Sequence, residues 1–156
     1  MKILYFISVH SYGRGGHFHS LNHISQKLGE KHEVKIISIG PGKSDIIESN
    51  PHFHKHIKFK GFDFFKLKKI IRKESRLFKP DIYHCFDVGS YNIIRLIISS
   101  RKNKLILNKC GRPNPIKFPH VSNLILFTVE NNEWFEGKIK FRNTNIHLIP
   151  NRVNQL

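Results

Sequence analysis

"KILYFISV", residues 2–9, runs straight into "HSYGRGGHFHS", residues 10–20, and the reading of this junction decides the fold. The first piece mixes β-branched and aromatic side chains without alternation, the pattern of a strand buried on both faces. The second holds Gly13, Gly15 and Gly16 among His10, His17 and His19, with no acidic residue. Beyond it, "HFHSLNHISQKLGEK" places Phe18, Leu21, Ser25 and Leu28 on one helical face, and Gly29 can end that helix. A glycine-rich loop between a strand and a helix lets backbone approach a ligand closely. It also aims free N–H groups at that ligand from the positive end of the helix, so phosphate or diphosphate is the natural guest. The plainer alternative is that the glycines only make a tight turn.

The rest of the chain repeats the alternation. "EVKIISIG", 33–40, reads as a second strand closed by Gly40-Pro41-Gly42, and "HKHIKFKG", 54–61, as a short third strand near an edge. "DFFKLKKIIRKESRLF", 63–78, spaces Phe64, Leu67, Ile70, Ile71, Glu74 and Phe78 as a helix that Pro80 stops. "DIYHCF", 81–86, is a fourth strand and "SYNIIRLIISS", 90–100, an apolar helix. "KLILNKC", 104–110, "NLILFT", 123–128, and "NIHLIPN", 145–151, are further strands. Strands alternating with helices predict an α/β fold: a Rossmann-like parallel sheet of about six or seven strands with helices on both faces. With no repeat, low-complexity segment or interior linker, residues 1–156 read as one domain.

Composition narrows the class. A hydrophobic fraction of 39% with 13 Phe suits a packed core rather than disorder. No apolar run approaches the roughly 20 residues of a membrane span, and the start lacks the features of a signal peptide. Cys85 and Cys110, with no CxxC spacing, fit a reducing, cytoplasmic compartment. The outlying number is charge: 27 Lys+Arg against 11 Asp+Glu, a formal +16. Nucleic acid, an anionic membrane surface or phosphorylated substrates would each account for it. So would drift in an AT-rich genome, given the abundance of Ile, Lys, Asn and Phe. No RNP pattern or zinc finger supports a specific nucleic-acid partner.

Two nucleotide motifs can be tested directly. A P-loop needs Lys after its last glycine, and none follows here. The dinucleotide fingerprint needs a third glycine where Phe18 stands, and an acidic residue after the second strand, where Gly40-Pro41-Gly42 stands. In an open parallel sheet the ligand lies beyond the carboxyl ends of the strands, at the switch point of strand order. The glycine loop, Asp87, Cys110 with Gly111, and Thr128 to Glu130 all fall at such ends.

Four segments, in order, resemble the amino-terminal domain of a family-four glycosyltransferase with the GT-B fold. "GRGGHF" is similar to the family's Gly-Gly loop after the first strand. "KPDIYHCFD", 79–87, resembles its Lys-Pro-Asp-(apolar)-(apolar)-His strand, and "LILNKCGRPNP", 105–115, the following strand and glycine-containing loop. "IHLIPNRVN", 146–154, resembles its Ile-Pro-Asn-Gly-Val-Asp hinge into a second domain. The resemblance implies transfer of a sugar from a UDP- or GDP-linked donor, a substrate rather than a cofactor, to an acceptor hydroxyl on a glycan or lipid-linked glycan. Bacterial cell-surface polysaccharide synthesis is the implied setting. The amino-terminal domain would hold the acceptor and a carboxyl-terminal domain, absent from this chain, most of the donor, so this half alone would be inactive. Backbone at Gly15 and Gly16 would meet the donor diphosphate, with Lys109, Cys110 and Gly111 at the donor side. Cys110 stands where the family often has His, Arg152 and Asn154 replace the hinge Gly and Asp, and Val129 stands where Ser is frequent.

Asp87 is the candidate catalytic acid–base group, able to accept a proton from an acceptor hydroxyl, or else a carboxylate at a helix N-terminus. Arg14, His17, His19 and Glu130 are candidate acceptor contacts; Glu130 is alternatively a helix cap. His84 reads as a satisfied buried histidine. His19 with His23, and the alternating His52, His54 and His56, lack partners at ligand spacing, so no metal site is expected. Lys66, Lys68, Lys69, Arg72, Lys73 and Arg76, beside Phe62, Phe64 and Phe65, suit peripheral attachment to an anionic membrane surface, or form an ordinary solvated helix face. The competing reading of the whole is a stand-alone, non-catalytic module that binds a phosphosugar or nucleotide.

Overall fold

Every strand of the sheet runs in one direction, which forces each connection to cross a face of the sheet. In this computed structural model, which describes residues 1–59, 63–98, 104–110 and 114–149, seven strands lie in the order β3-β2-β1-β4-β5-β6-β7. They are β1 (Lys2–Ser8), β2 (Glu33–Gly40), β3 (Phe53–Lys58), β4 (Ile82–Cys85), β5 (Leu105–Lys109), β6 (Asn123–Leu126) and β7 (Asn145–Leu148). The helices are α1 (Gly16–Gly29), α2 (Asp45–Glu48), α3 (Phe64–Phe78), α4 (Val88–Ile97) and α5 (Val129–Glu136), with a 3-10 turn at Ile139–Phe141. The Rossmann-like reading therefore holds, with β3 at an edge as expected for the short third strand.

β1 is central, and Ile3 to Ile7 are all buried, because both faces are covered. On one face Ile3, Tyr5 and Ile7 pack with Ile36 and with Phe18 and Leu21 of α1 and Ile47 of α2. On the other, Leu4, Phe6, Tyr83 and Leu107 pack with Leu67 and Ile71 of α3, Ile94 of α4 and Phe135 of α5. Burial of this many Ile, Leu and Phe side chains, at about 1.5–3 kcal/mol each, is the main force holding the layers together. No helix among the described residues is long and apolar enough to cross a membrane.

Helix ends differ from the periodic reading where side chains supply caps. α4 begins at Val88 rather than Ser90 because the Asp87 carboxylate accepts the Ser90 N–H at 2.8 Å. α2 and the 3-10 turn are too short for any periodic signal and form because Ile47 and Phe141 are buried. The expected hinge beyond Ile149, Gly111 and Phe62 lie outside the described residues.

His84 is a satisfied core histidine. Its Nε2–H donates to Oδ1 of Asn108 at 2.8 Å, and its ring packs against Tyr5 and Phe86 with centroids 4.9 and 5.4 Å away. Burial lowers its pKa from 6.5 to about 4. Between those values the unfolded chain binds a proton that the folded chain refuses, so stability falls as pH falls. His84 should therefore cost about 3 kcal/mol of unfolding free energy between pH 7 and pH 4. Denaturant titrations across that range should show a stability loss larger by about that amount in the wild type than in His84→Gln.

Candidate functional site

The switch point of strand order lies between β1 and β4, whose flanking connections leave to opposite faces. Here the glycine loop, the end of β4 and the end of β5 come together, as the alternation implied. One carboxylate clasps the two central strands. Asp87 Oδ2 accepts the Ser8 N–H at 2.7 Å and the Ser90 hydroxyl at 3.1 Å, while Oδ1 accepts the Ser90 N–H at 2.8 Å and the Ser8 hydroxyl. Both carboxylate oxygens of Asp87 are thus engaged, and Asp87 is the N-cap of α4.

The three glycines differ in what surrounds them. Gly13 is buried, and a Cβ there would lie 2.5 Å from the Phe18 ring and 2.8 Å from Ser44 Cβ. Gly15 is the N-cap of α1 and has no side chain to cap it; the first turn carries no acidic residue. The first turn of α1 thus supplies no counter-charge of its own to the helix's positive end. Gly16 is the informative one. A Cβ on it would meet nothing within 4 Å, and its φ is not in the left-handed region. Neither packing nor backbone geometry requires glycine there, so the bare backbone is available to something outside the fold.

His17 follows on the first turn of α1. Its ring lies 4.2 Å from that of Phe18, and its Nδ1 would be 3.2 Å from a Cβ at Gly15. Burial lowers the His17 pKa and the Asp87 carboxylate opposes that shift only in part, so a neutral imidazole borders the loop. Cys110, after β5, reaches the same face: its Sγ–H donates to the Phe86 carbonyl at 3.1 Å, and burial pushes its pKa up to about 12. It is a thiol, not a thiolate nucleophile. Lys109 is buried, donates to the Cys110 carbonyl at 3.2 Å, and has its pKa lowered by burial.

The loop is held from behind by residues to which the sequence assigned no part in the site. Residues 9–13 are paired to the connection after β2 by Gly42 N–H to Val9 O at 3.0 Å, Lys43 N–H to Ser11 O at 3.2 Å and Gly13 N–H to Lys43 O at 3.0 Å. The Ser44 hydroxyl adds a bond to Gly13 O at 2.7 Å. Gly40 has φ +141°, and Cβ atoms at Gly40 and Gly42 would fall 2.1 and 2.0 Å from the carbonyl oxygens of Val9 and Ser11. Gly40-Pro41-Gly42 is thus the seat of the glycine loop, not only the end of a strand. The paired glycines themselves were the legible signal. Between loop and α2 opens a cavity of about 240 Å³ lined by Tyr12, Arg14, His19, Lys43, Asp45 and Ile46, with Gly13 and Ser44 behind.

The remaining candidates belong to other elements. Glu130 is exposed in the first turn of α5, which is capped instead by Thr128 through its hydroxyl. Lys66, Lys69, Arg72, Lys73 and Arg76 are exposed on α3, with Lys68 half-buried, on the sheet face opposite α1. Among the described residues no three His, Cys, Asp or Glu side chains gather as a metal ion would need. His56 Nδ1 shares a hydrogen bond with the Ser38 hydroxyl at 2.9 Å, and His54 pairs with the buried Glu74 at 2.8 Å. Burial alone would raise the Glu74 pKa; bonds from Lys55 and His54 reverse that and lower it.

Comparison with known proteins bears on this geometry. The sequence matches the glycosyl transferase 4-like family over residues 2–143. The fold is similar to that of a lipopolysaccharide outer core galactosyltransferase, WaaB, in its apo form: TM-score 0.62, 15% identity, 98% of this chain and 46% of that one. It is similar to an α-glucosyltransferase in complex with UDP-glucose and DNA containing an abasic site: TM-score 0.53, 11% identity, covering 98% and 43%. The third is Phytolacca americana UGT2 complexed with UDP-2-fluoro-glucose and pterostilbene: TM-score 0.55, 8% identity, covering 97% and 55%. This chain thus spans about half the length of each of these glycosyltransferases. No curated protein matches the sequence.

Proposed function

The chain belongs to the glycosyl transferase 4-like family, and on that premise we propose that it is the acceptor-holding, amino-terminal half of an enzyme that moves a sugar from a nucleotide-sugar donor to an acceptor hydroxyl. The observation that carries the proposal is Gly16, a glycine that neither packing nor φ demands, at the uncapped positive end of α1. Backbone N–H groups there suit a diphosphate and would stabilise the charge that builds on it as the sugar departs. Two of the similar structures hold UDP-sugars, which favours a UDP-linked donor over a GDP-linked one. The lipopolysaccharide enzyme among them favours a glycan or lipid-linked acceptor.

Lys109 and Cys110 border the donor side in this reading, and Arg14, His17 and His19 the acceptor side. Asp87 acts by holding β1, β4 and α4 in place rather than by taking the acceptor proton, since four donors already occupy its oxygens. The test is a sugar-transfer assay on the protein that carries the second domain, offered UDP- and GDP-sugars with hydroxyl acceptors. Turnover that depends on Gly16 supports the reading. Absence of transfer and of donor hydrolysis with every nucleotide sugar leaves a binding module in its place.

The same protein would work at an anionic membrane surface through α3. Lys66, Lys69, Arg72, Lys73 and Arg76 form one exposed stripe with Phe65, which is 83% exposed, and no ion pair among the described residues engages them. Each cation near such a surface contributes about 1 kcal/mol. Replacing Lys69, Arg72 and Arg76 together by Glu should therefore weaken binding to phosphatidylserine vesicles at least roughly a hundredfold. Unchanged co-sedimentation at physiological salt would show that the stripe is only a solvated face.

A further inference from the structure

We propose that the cavity between the glycine loop and α2 selects an acceptor sugar that carries an anionic group, a phosphate or a carboxylate; this rests on the glycosyltransferase reading above. Four observations support it. The cavity, about 240 Å³, is large enough for one sugar unit. It presents two cations, Arg14 and Lys43, against one carboxylate, Asp45. None of the three takes part in an ion pair among the described residues, so neither cation is already matched by a carboxylate in contact with it. Tyr12 is 76% exposed, with the Arg14 guanidinium 5.7 Å from its ring. An exposed aromatic face with a polar tip suits the C–H face and hydroxyls of a pyranose ring.

The frame is also built. Tyr12 and Lys43 are joined by a parallel β-bridge. The backbone bonds on either side of it, with the Ser44 hydroxyl on Gly13 O, fix the spacing of the aromatic ring and the two cations before any ligand arrives. Preorganisation of this kind lowers the ordering cost of binding. Arg14 adjoins Gly15 in the chain, so the cavity and the diphosphate loop share a wall, as two substrates that meet at one reacting carbon must. Arg14 and Lys43 would hold the anionic group, and Asp45 and His19 would accept or donate hydrogen bonds to hydroxyls.

The experiment is an amide NMR titration of the 156-residue chain with glucose, glucose 6-phosphate, glucuronate, inorganic phosphate and pyrophosphate. At least one of the two charged sugars should shift the amides of Tyr12, Lys43 and Ser44 with an affinity at least tenfold above that for glucose and for inorganic phosphate. Whichever binds more tightly identifies phosphate or carboxylate as the group read. Lys43→Glu and Arg14→Glu should each weaken that binding at least tenfold, and by a larger factor than they weaken glucose binding. Equal response to glucose and charged sugars, equal response to inorganic phosphate, or indifference to both substitutions overturns the proposal. Pyrophosphate tests the underlying reading separately: it should shift Gly15, Gly16 and His17, and those amides staying still would remove the diphosphate loop whatever the sugars do.

Discussion

On the proposed function, Gly16→Val should leave the fold of this domain standing and lower sugar transfer at least about 10²-fold. The structural half of that expectation follows from the empty space beside Gly16, where a Cβ meets nothing within 4 Å. Thermal unfolding should move by less than about 1 kcal/mol, the range of surface substitutions that disturb no packing. The functional half follows from position. A branched side chain on the first residue of α1 would stand between the helix N-terminus and any diphosphate, whose charge the backbone N–H groups can no longer approach. Gly42→Val is the contrasting control. Its Cβ would lie 2.0 Å from Ser11 O, so the paired loops must separate and stability falls with activity. Steady-state transfer assays and calorimetry on both variants check the pair of outcomes. Full turnover by Gly16→Val would take the loop out of the mechanism.

Asp87→Ala should cost about 2–4 kcal/mol, because it removes the cap of α4 and the clasp between β1 and β4 together. The Ser8 and Ser90 N–H groups, bonded at 2.7 and 2.8 Å, both lose their acceptor. Asp87→Asn should fall between, since an amide turned either way sets an NH₂ against one of those two N–H groups. Denaturant unfolding ranks the three proteins. The order distinguishes the two roles the residue can have. A positioning carboxylate loses stability and activity in parallel across Asn and Ala. A general base loses 10²–10⁴ in rate in the Asn variant with stability nearly unchanged, an outcome that would restore Asp87 to the chemistry.

Much of this was legible in the chain. The unbroken apolar run of β1, the helical spacing of Phe18, Leu21 and Ser25, and the Pro80 stop are signals carried by neighbours in sequence. Local periodicity is enough to recover strands, helices and their alternation, and alternation with short connections leaves few topologies besides a parallel sheet. The convergence of the glycine loop, Asp87 and Cys110 then follows from strand polarity alone. His84 could be recognised as a core residue because it sits inside an apolar strand.

What tertiary structure decided are matters of contact between residues distant in the chain. Nothing in "GRGGHF" distinguishes Gly13, pressed against Phe18 and Ser44, from Gly16, open to the outside. The bridge between Tyr12 and Lys43, and the cavity behind it, exist only because two loops distant in the chain lie side by side. Asp87 looked equally suited to capping and to proton transfer, and the four donors around it belong to residues as far away as Ser8. Pattern reports which face a side chain takes; the partners it finds there depend on how separate segments close against one another, and those partners set whether a group is structural or free to act.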